Sequence, residues 1–472
     1  VGASPLPAAS GSPLNEQTQM IEQTHWTIEG GARLAGTIEV RGGKNSAPKQ
    51  IVASLLTDQP CTLSNVPKIG DVHWALDVCQ ALGSEVTWLS DHSVRLRTPR
   101  LVTAELASTY GGSSRLPILL LGPLLARTGQ ARIPHGGGCQ IGSRPVEFHI
   151  DGLRRLGAEV VMNDGWVEAQ AGGIRGGIFE IPYPSVGATE TLLLAAASAD
   201  GTTVLRGIAL EPEVLDLIAL LHKMGAQIRF ESDRGLIIRG VEKLSGYQHR
   251  CMTDRNECAS WACAAVATDG DVRIKGADQP ALLSLLDCLR EIGGEYEVFD
   301  DGVRLFRSRK ALSAVRVHTS FHPGFMSDWQ PPLTALLTQA HGQSVVHETV
   351  YEDRFCYVQS LVEMGANITL HTECLGSDLC RHAGGEHPHS CVITGPTRLR
   401  AADLTMPDLR GGFAHVVAAL LAEGTSRLCA VEQIDRGYAD FLGKATALGA
   451  KIAVHEPVSE TTPSDAGRIG VA

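Results

Sequence analysis

The feature that most constrains this chain is an internal repeat. A helix-like stretch ends in Leu, Met or Ile, then a Gly and a small or polar residue, and runs into a short strand-like segment. This pattern occurs six times: ALGSEVTW at Gly83, RLGAEVVM at Gly157, KMGAQIRF at Gly225, EIGGEYEV at Gly293, EMGANITL at Gly365 and ALGAKIAV at Gly449. The spacing is about 70 residues, with the last interval the longest. At each position Gly can end a helix in a left-handed conformation and turn the chain into a strand. A second signature is interleaved with the first. LLTDQPCTLSN, LLARTGQARIP, ASADGTTVLRG, VATDGDVRIKG, TQAHGQSVVHE and LLAEGTSRLCA each read as an apolar helix, a tight turn and a strand.

Two helices and several strands per unit give six βαβαββ repeats. Solenoid repeats are usually about 20–45 residues long, so units of this size read better as small α/β subdomains. Three per domain, with buried helices and outer sheets, would leave a cleft between two domains as the natural site. A Pro/Ala/Ser-rich start makes residues 1–25 an expected disordered tail, and order should begin near Trp26. The expected division is 45–251 for the first domain, 26–44 plus 252–456 for the second, and 457–472 for a second disordered tail.

Charge and composition exclude some functions. A formal net charge of −11 disfavours non-specific binding to nucleic acid or an anionic membrane. No apolar run approaches the ~20 residues a membrane span needs, and no secretory signal is visible. An anionic substrate must therefore be held by placed Arg and Lys side chains. Twelve cysteines are scattered along the chain. Cys258, Cys263 and Cys288 lie in apolar helix-like segments, where small buried thiols are common, and the chain reads as cytoplasmic and reduced.

Several loops place reactive side chains beside glycine. In RGGKNSAPKQ, Lys44 and Asn45 follow a Gly-Gly turn at a helix start, a suitable place for a phosphate or carboxylate. Taken alone, Lys44 reads better as a solvated loop lysine. In HGGGCQIGSRPVEFHIDGL, Cys139 lies in a Gly-rich loop with Arg144 near enough to favour thiolate. It is either a functional thiol or one more small buried residue. Arg115 in GGSSRLPI, Arg410 in PDLRGG and Arg436 in IDRGY are isolated cations on Gly-flanked turns that could together line a cleft. Asp328, in FHPGFMSDWQPP, is a general-base candidate or a cap for the following segment. Cys374, Cys380, His382, His387, His389 and Cys391 invite a metal reading. The two cysteines at 374 and 380 are spaced more widely than the usual zinc pair, so a long polar loop between strands is expected, with no metal.

Together these residues resemble the enolpyruvyl transferase family. The resemblance rests on the sixfold repeat, KN after a Gly turn, GGGCQIGSRPV, PSVGATE, the Asp of SDWQ, TVYEDRF, PDLRGG and IDRGY, and it runs from about residue 27 to 455. It implies a two-domain inside-out α/β barrel. It also implies transfer of the enolpyruvyl group of phosphoenolpyruvate to a hydroxyl of a uridine nucleotide, with no metal or organic cofactor. The implied acceptor is the 3-hydroxyl of UDP-N-acetylglucosamine, the first step of peptidoglycan synthesis. The alternative is the 3′-hydroxyl of UMP, as in nucleoside-antibiotic pathways.

By the same resemblance, Lys44, Arg144 and Arg436 hold phosphoenolpyruvate and Arg115 bridges donor and acceptor. Cys139 is the proton donor and Asp328 stands beside the acceptor hydroxyl. Asn45, Pro145, Val146, Glu147, Phe148, His149, Ser185, Val186, Gly187 and Val350 match nucleotide-holding positions, with Arg354 and Arg410 in the neighbouring TVYEDRF and PDLRGG motifs. Three departures stand out. Tyr183 replaces a lysine that touches the acceptor's diphosphate in many members, Glu147 replaces an Asp, and the segment around 373–395 is longer than usual. An actinobacterial branch of the family shares the tyrosine and the longer segment.

Overall fold

The computed structural model describes residues 24–457 apart from 113, 138–140, 143–144, 309–310 and 377–379. Of the expected tails, 1–25 and 457–472, residues 1–23 and 458–472 lie outside the described residues, while His25 belongs to a strand. Among the described residues there are six small sheets, one for each repeat. In each, the strand that follows a buried helix pairs antiparallel with the last strand of a unit. That strand pairs in turn with the strand that follows the repeat glycine, as Asp271–Lys275, Gly302–Arg307 and Gly294–Phe299 do. The six repeat glycines all have positive φ, from +90° at Gly157 to +120° at Gly293. At Gly83 a Cβ would also lie 2.6 Å from the Arg100 carbonyl, so the turn needs glycine on both grounds.

The N-terminal strand does not stay with the residues that follow it. His25–Glu29 inserts between Thr425–Cys429 and Lys451–His455, completing the sheet of the last repeat, and it begins one residue before the expected start. Ala35–Glu39 then pairs parallel with Asp271–Lys275. Apolar burial follows the same path. One core holds Trp26, Ile28, Leu34, Ile38 and Val40 together with residues from Cys258 to Ala450. The other runs from Ala47 to Cys251 with Ala439 added.

The core that holds Trp26 is built round helices with no solvent face. Every residue of Arg255–Ala267 is buried, as is every residue of Gln330–Leu337. Such helices lack an amphipathic stripe because they are covered on all sides, which is why apolar runs and not periodicity mark them in the sequence. The second helix of each unit is amphipathic, as Pro212–Lys223 shows. Cys258, Cys263 and Cys288 are buried in helices as expected.

Two chain crossings join the halves side by side. The Gly42 amide donates to the Asn65 carbonyl (3.0 Å) and the Gly43 amide to that of Met252 (2.9 Å). A Cβ on Gly42 would sit 2.2 Å from the Asn65 carbonyl oxygen. A buried bidentate pair, Arg255 to Glu213 at 2.9 Å for both contacts, ties the halves beside the second crossing. Among the described residues no helix is long and apolar enough to cross a membrane.

Candidate active site

The crossing aims Lys44 into the space between the halves. Its amide donates to the Asp254 Oδ2 (2.9 Å), while Asp254 caps the helix Arg255–Ala267 by accepting from the Asn256 and Glu257 amides. The Lys44 ammonium then lies 2.8 Å from Asp71, in the first turn of the helix Gly70–Ala81. Arg436, just past the short helix Glu432–Asp435, approaches the same carboxylate at 3.5 Å. Burial alone would raise the Asp71 carboxyl, but Lys44 and Arg436 outweigh it and hold it below the ordinary carboxylate range. One buried anion of the first half thus holds two cations, Lys44 at the crossing and Arg436 of the second half, at the wall of a cavity of about 340 Å³.

Asp328 lines the same cavity from the other half, in the tight turn Ser327–Trp329. Asn256 Nδ2 donates to its Oδ2 (3.2 Å), the Arg354 guanidinium lies 3.4 Å from Oδ1, and Arg410 lies 3.5 Å from Oδ2. Arg354 also pairs with Asp408 at 3.2 Å. Burial works against the charge on Arg354, but Asp408 and Asp328 more than restore it. Arg354 and Arg410 are therefore buried behind Asp328 and do not face the cavity, where a substrate contact had been expected. They fix the carboxylate in place.

A third wall is built on a helix N-terminus. Ser185 caps Val186–Ala196, its Oγ accepting from the Ala188 amide, and Val186 and Gly187 face the cavity. A Cβ on Gly187 would lie 3.0 Å from the His149 ring, so glycine lets the imidazole close against the helix. His149 Nδ1 meets Thr191 Oγ1 at 2.8 Å. Burial, aided by Arg115, lowers its pKa to about 3, leaving a neutral ring. Tyr183 packs edge-on to Phe321 with centroids 6.0 Å apart. Its phenol is pushed up to about 12 by burial, with Arg381 opposing, and stays neutral.

The structure thus brings together Lys44, Asn45, Arg115, Pro145, Phe148, His149, Tyr183, Ser185, Val186, Gly187, Asp328, Val350 and Arg436 around one cavity. Val146 is buried as the residue before the helix Glu147–Arg155 and is not part of the lining; Glu147 is exposed on the outside of it. Cys139 and Arg144 lie outside the described residues. The flanking loop still reaches across the cleft: the Asp353 amide donates to the Ile141 carbonyl (3.3 Å), and a Cβ on Gly142 would lie 2.1 Å from Glu352 Oε2.

Sequence reasoning missed Asp71, Lys49, Glu190 and Arg381 in the lining. Asp71 carried no signal beyond an acidic first turn, which any helix favours. Glu190 is buried against Lys49 at 3.1 Å, and burial raises its carboxyl to about 7 despite that partner. Arg381 comes from the longer segment; its guanidinium sits 4.6 Å from the Tyr183 ring centroid and donates to the Val350 carbonyl (2.5 Å).

Comparison with known proteins agrees with this architecture. The family described as EPSP synthase (3-phosphoshikimate 1-carboxyvinyltransferase) matches residues 28–445. A UDP-N-acetylglucosamine 1-carboxyvinyltransferase from Protochlamydia amoebophila is 43% identical over 91% of this chain and 94% of its own length. One from Chlamydia pneumoniae is 44% identical over 92% and 95%. The crystal structure of the enolpyruvyl transferase NikO from Streptomyces tendae superposes with a TM-score of 0.81 at 26% identity, covering 92% of this chain and 99% of that one. EPSP synthase from Acinetobacter baumannii shares the fold, with a TM-score of 0.70 at 18% identity over 92% of this chain and 100% of its own.

Proposed function

The chain belongs to the EPSP synthase (3-phosphoshikimate 1-carboxyvinyltransferase) family, and from that premise we propose that it carries the enolpyruvyl group of phosphoenolpyruvate to the 3-hydroxyl of UDP-N-acetylglucosamine. The observation that carries the choice of acceptor is 43–44% identity, over nine-tenths of the chain, to enzymes named for that reaction.

The cavity suits an addition followed by an elimination. Lys44 and Arg436, with Arg144, neutralise the phosphate and carboxylate of phosphoenolpyruvate, which displaces part of their attraction to Asp71. The Cys139 thiol gives its proton to the methylene carbon, making the neighbouring carbon electrophilic. The acceptor oxygen adds there as its proton passes to Asp328, whose three contacts aim it into the cavity. The Cys139 thiolate then takes a proton back from the new methyl group as phosphate departs with the proton held by Asp328, which regenerates the double bond, the thiol and the carboxylate. Arg115 and the His149–Gly187 wall hold the uridine nucleotide. The loop carrying Cys139 contacts the other half through Ile141, so closing it excludes water.

UMP is the competing acceptor, suggested by Tyr183 in place of a lysine. The Arg381 guanidinium beside that ring supplies a cation at the same wall, so the tyrosine does not leave a diphosphate without a partner. Phosphate release from phosphoenolpyruvate, measured with each acceptor in turn, tests the reading. Turnover with UDP-N-acetylglucosamine is expected. Turnover with UMP alone would replace the acceptor, and release with neither would overturn the assignment.

A further inference from the structure

The longer segment that supplies Arg381 is anchored by four side chains that the catalytic cavity does not use. His347 ends the strand Ala340–His347, and His389 immediately precedes its antiparallel partner Ser390–Gly395. Cys374 follows the neighbouring strand Asn367–His371, and Cys380 lies on the way back. The ligand atoms of these four residues all lie within 4.8 Å of one another. Cys374 Sγ is 3.6 Å from Cys380 Sγ and 3.4 Å from His389 Nε2. Tetrahedral zinc with bonds of about 2.3 Å to sulfur and 2.0–2.1 Å to nitrogen places two sulfurs about 3.8 Å apart and a sulfur and a nitrogen about 3.6 Å apart. A disulfide would need about 2.05 Å.

The surroundings suit ligation. His389 is fully buried, and its Nδ1 lies 3.0 Å from the His387 carbonyl; a carbonyl only accepts, so Nδ1 carries the proton and Nε2 offers its lone pair to the cluster. The His382 amide donates to Cys380 Sγ (3.4 Å), a contact that stabilises a thiolate. His347 is also buried, and its Nε2 has no hydrogen-bond partner. Leaving such a nitrogen dry and unmatched costs about 1–3 kcal/mol unless something binds there. A Cβ on Gly376 would fall 2.1 Å from His347 Nδ1, so the loop closes on this ring as backbone alone.

We propose that His347, Cys374, Cys380 and His389 bind one Zn²⁺ ion, which pins residues 373–376 and 380–391 to the end of the sheet and thereby holds Arg381 in the catalytic cleft. Two thiolates and two imidazoles fill a tetrahedral shell and leave no open position, the pattern of a structural site. Binding releases the two thiol protons to solvent. The expectation of a plain polar loop came from weighing Cys374 and Cys380 as a pair; His347, which the spacing argument did not include, completes the set. The metal site stands independently of the catalytic assignment, whereas its consequence for Arg381 rests on the acceptor reading given above.

Elemental analysis of the untagged full-length enzyme should find about one zinc per chain. Chelated protein refilled with Co²⁺ should show the intense visible bands of a tetrahedral site and a sulfur-to-metal charge-transfer band. The Cys374→Ser/Cys380→Ser double variant should lose the zinc and show a several-fold higher KM for the nucleotide acceptor, with a smaller change for phosphoenolpyruvate. If that variant does not fold, the metal content and Co²⁺ spectrum of the wild type still decide. Active enzyme without zinc, or with Cys374 and Cys380 joined as a disulfide, would overturn the site. Zinc loss with an unchanged acceptor KM would overturn the link to Arg381. The metal measurements read out even if neither acceptor turns over.

Discussion

The Lys44 ammonium and the Asp71 carboxylate lie 2.8 Å apart at the point where the chain passes from one half to the other. Arg436 completes the group from the far end of the sequence at 3.5 Å. Two cations placed together repel unless an anion separates them, and Asp71 does so while leaving both at the cavity wall.

Asp71→Asn removes that anion without changing the shape of the side chain. The Lys44 and Arg436 head groups should then separate, and kcat/KM for phosphoenolpyruvate should fall about tenfold or more, roughly 1.4 kcal/mol. Because the native carboxyl is held below 3.8, wild-type stability relative to the variant is present above that pH and lost as pH falls through the native value. Steady-state kinetics and acid unfolding curves read the two effects. An unchanged kcat/KM would remove Asp71 from the site's organisation.

Cys139→Ser and Asp328→Asn separate the two proton transfers. A serine hydroxyl is a far weaker acid than a thiol, so kcat for Cys139→Ser should fall by about 10² or more. Alkylation by an epoxide phosphonate should disappear with it. Asp328→Asn should lower kcat to a similar degree. It should also lower the melting temperature, because Arg354 and Arg410 lose a carboxylate partner in a buried setting. Retained turnover and alkylation in Cys139→Ser would give the acid's role to another group.

Glu190 predicts a pH slope. Its carboxyl titrates near 4.5 in the unfolded chain and near 7 when folded, so the native state holds the extra proton between those values. Stability from this group is complete below about 4.5 and is lost as pH rises through about 7. Melting curves of wild type and Glu190→Gln should therefore diverge across that window, with the wild type losing ground as pH rises. Parallel curves would mean that Glu190 is ionised throughout.

Arg381→Ala tests the cation beside Tyr183. The KM for the nucleotide acceptor should rise about tenfold, in line with loss of one charge-assisted contact, while the KM for phosphoenolpyruvate moves little. Arg381→Lys should recover part of the loss. Equal effects on both substrates would point to a general loosening of the loop.

The sixfold plan was legible because its signals are local. Helix ends, glycine turns and short strands are set by neighbours a few residues apart, and all six repeat glycines adopt the positive φ their positions suggest. Pro145, Phe148 and His149, and Ser185, Val186 and Gly187, line the cavity in two short runs of chain, which is why they show as motifs in the sequence. Arg354 and Arg410 lie against Asp328 and off the cavity lining, a placement the sequence does not encode, since it does not say whether a cation meets the cavity or the carboxylate behind it.

By itself the sequence determined the repeat, the α/β units and the set of Gly-flanked cations, all of which depend on short-range backbone preference and residue chemistry. Only the tertiary structure decided which of those groups meet. It brought Asp71 between Lys44 and Arg436, set Asp328 against two buried arginines, and brought His347 to Cys374, Cys380 and His389. Such meetings depend on how separate sheets and helices stack. Electrostatic and ligand energies fall steeply with distances that sequence separation does not encode.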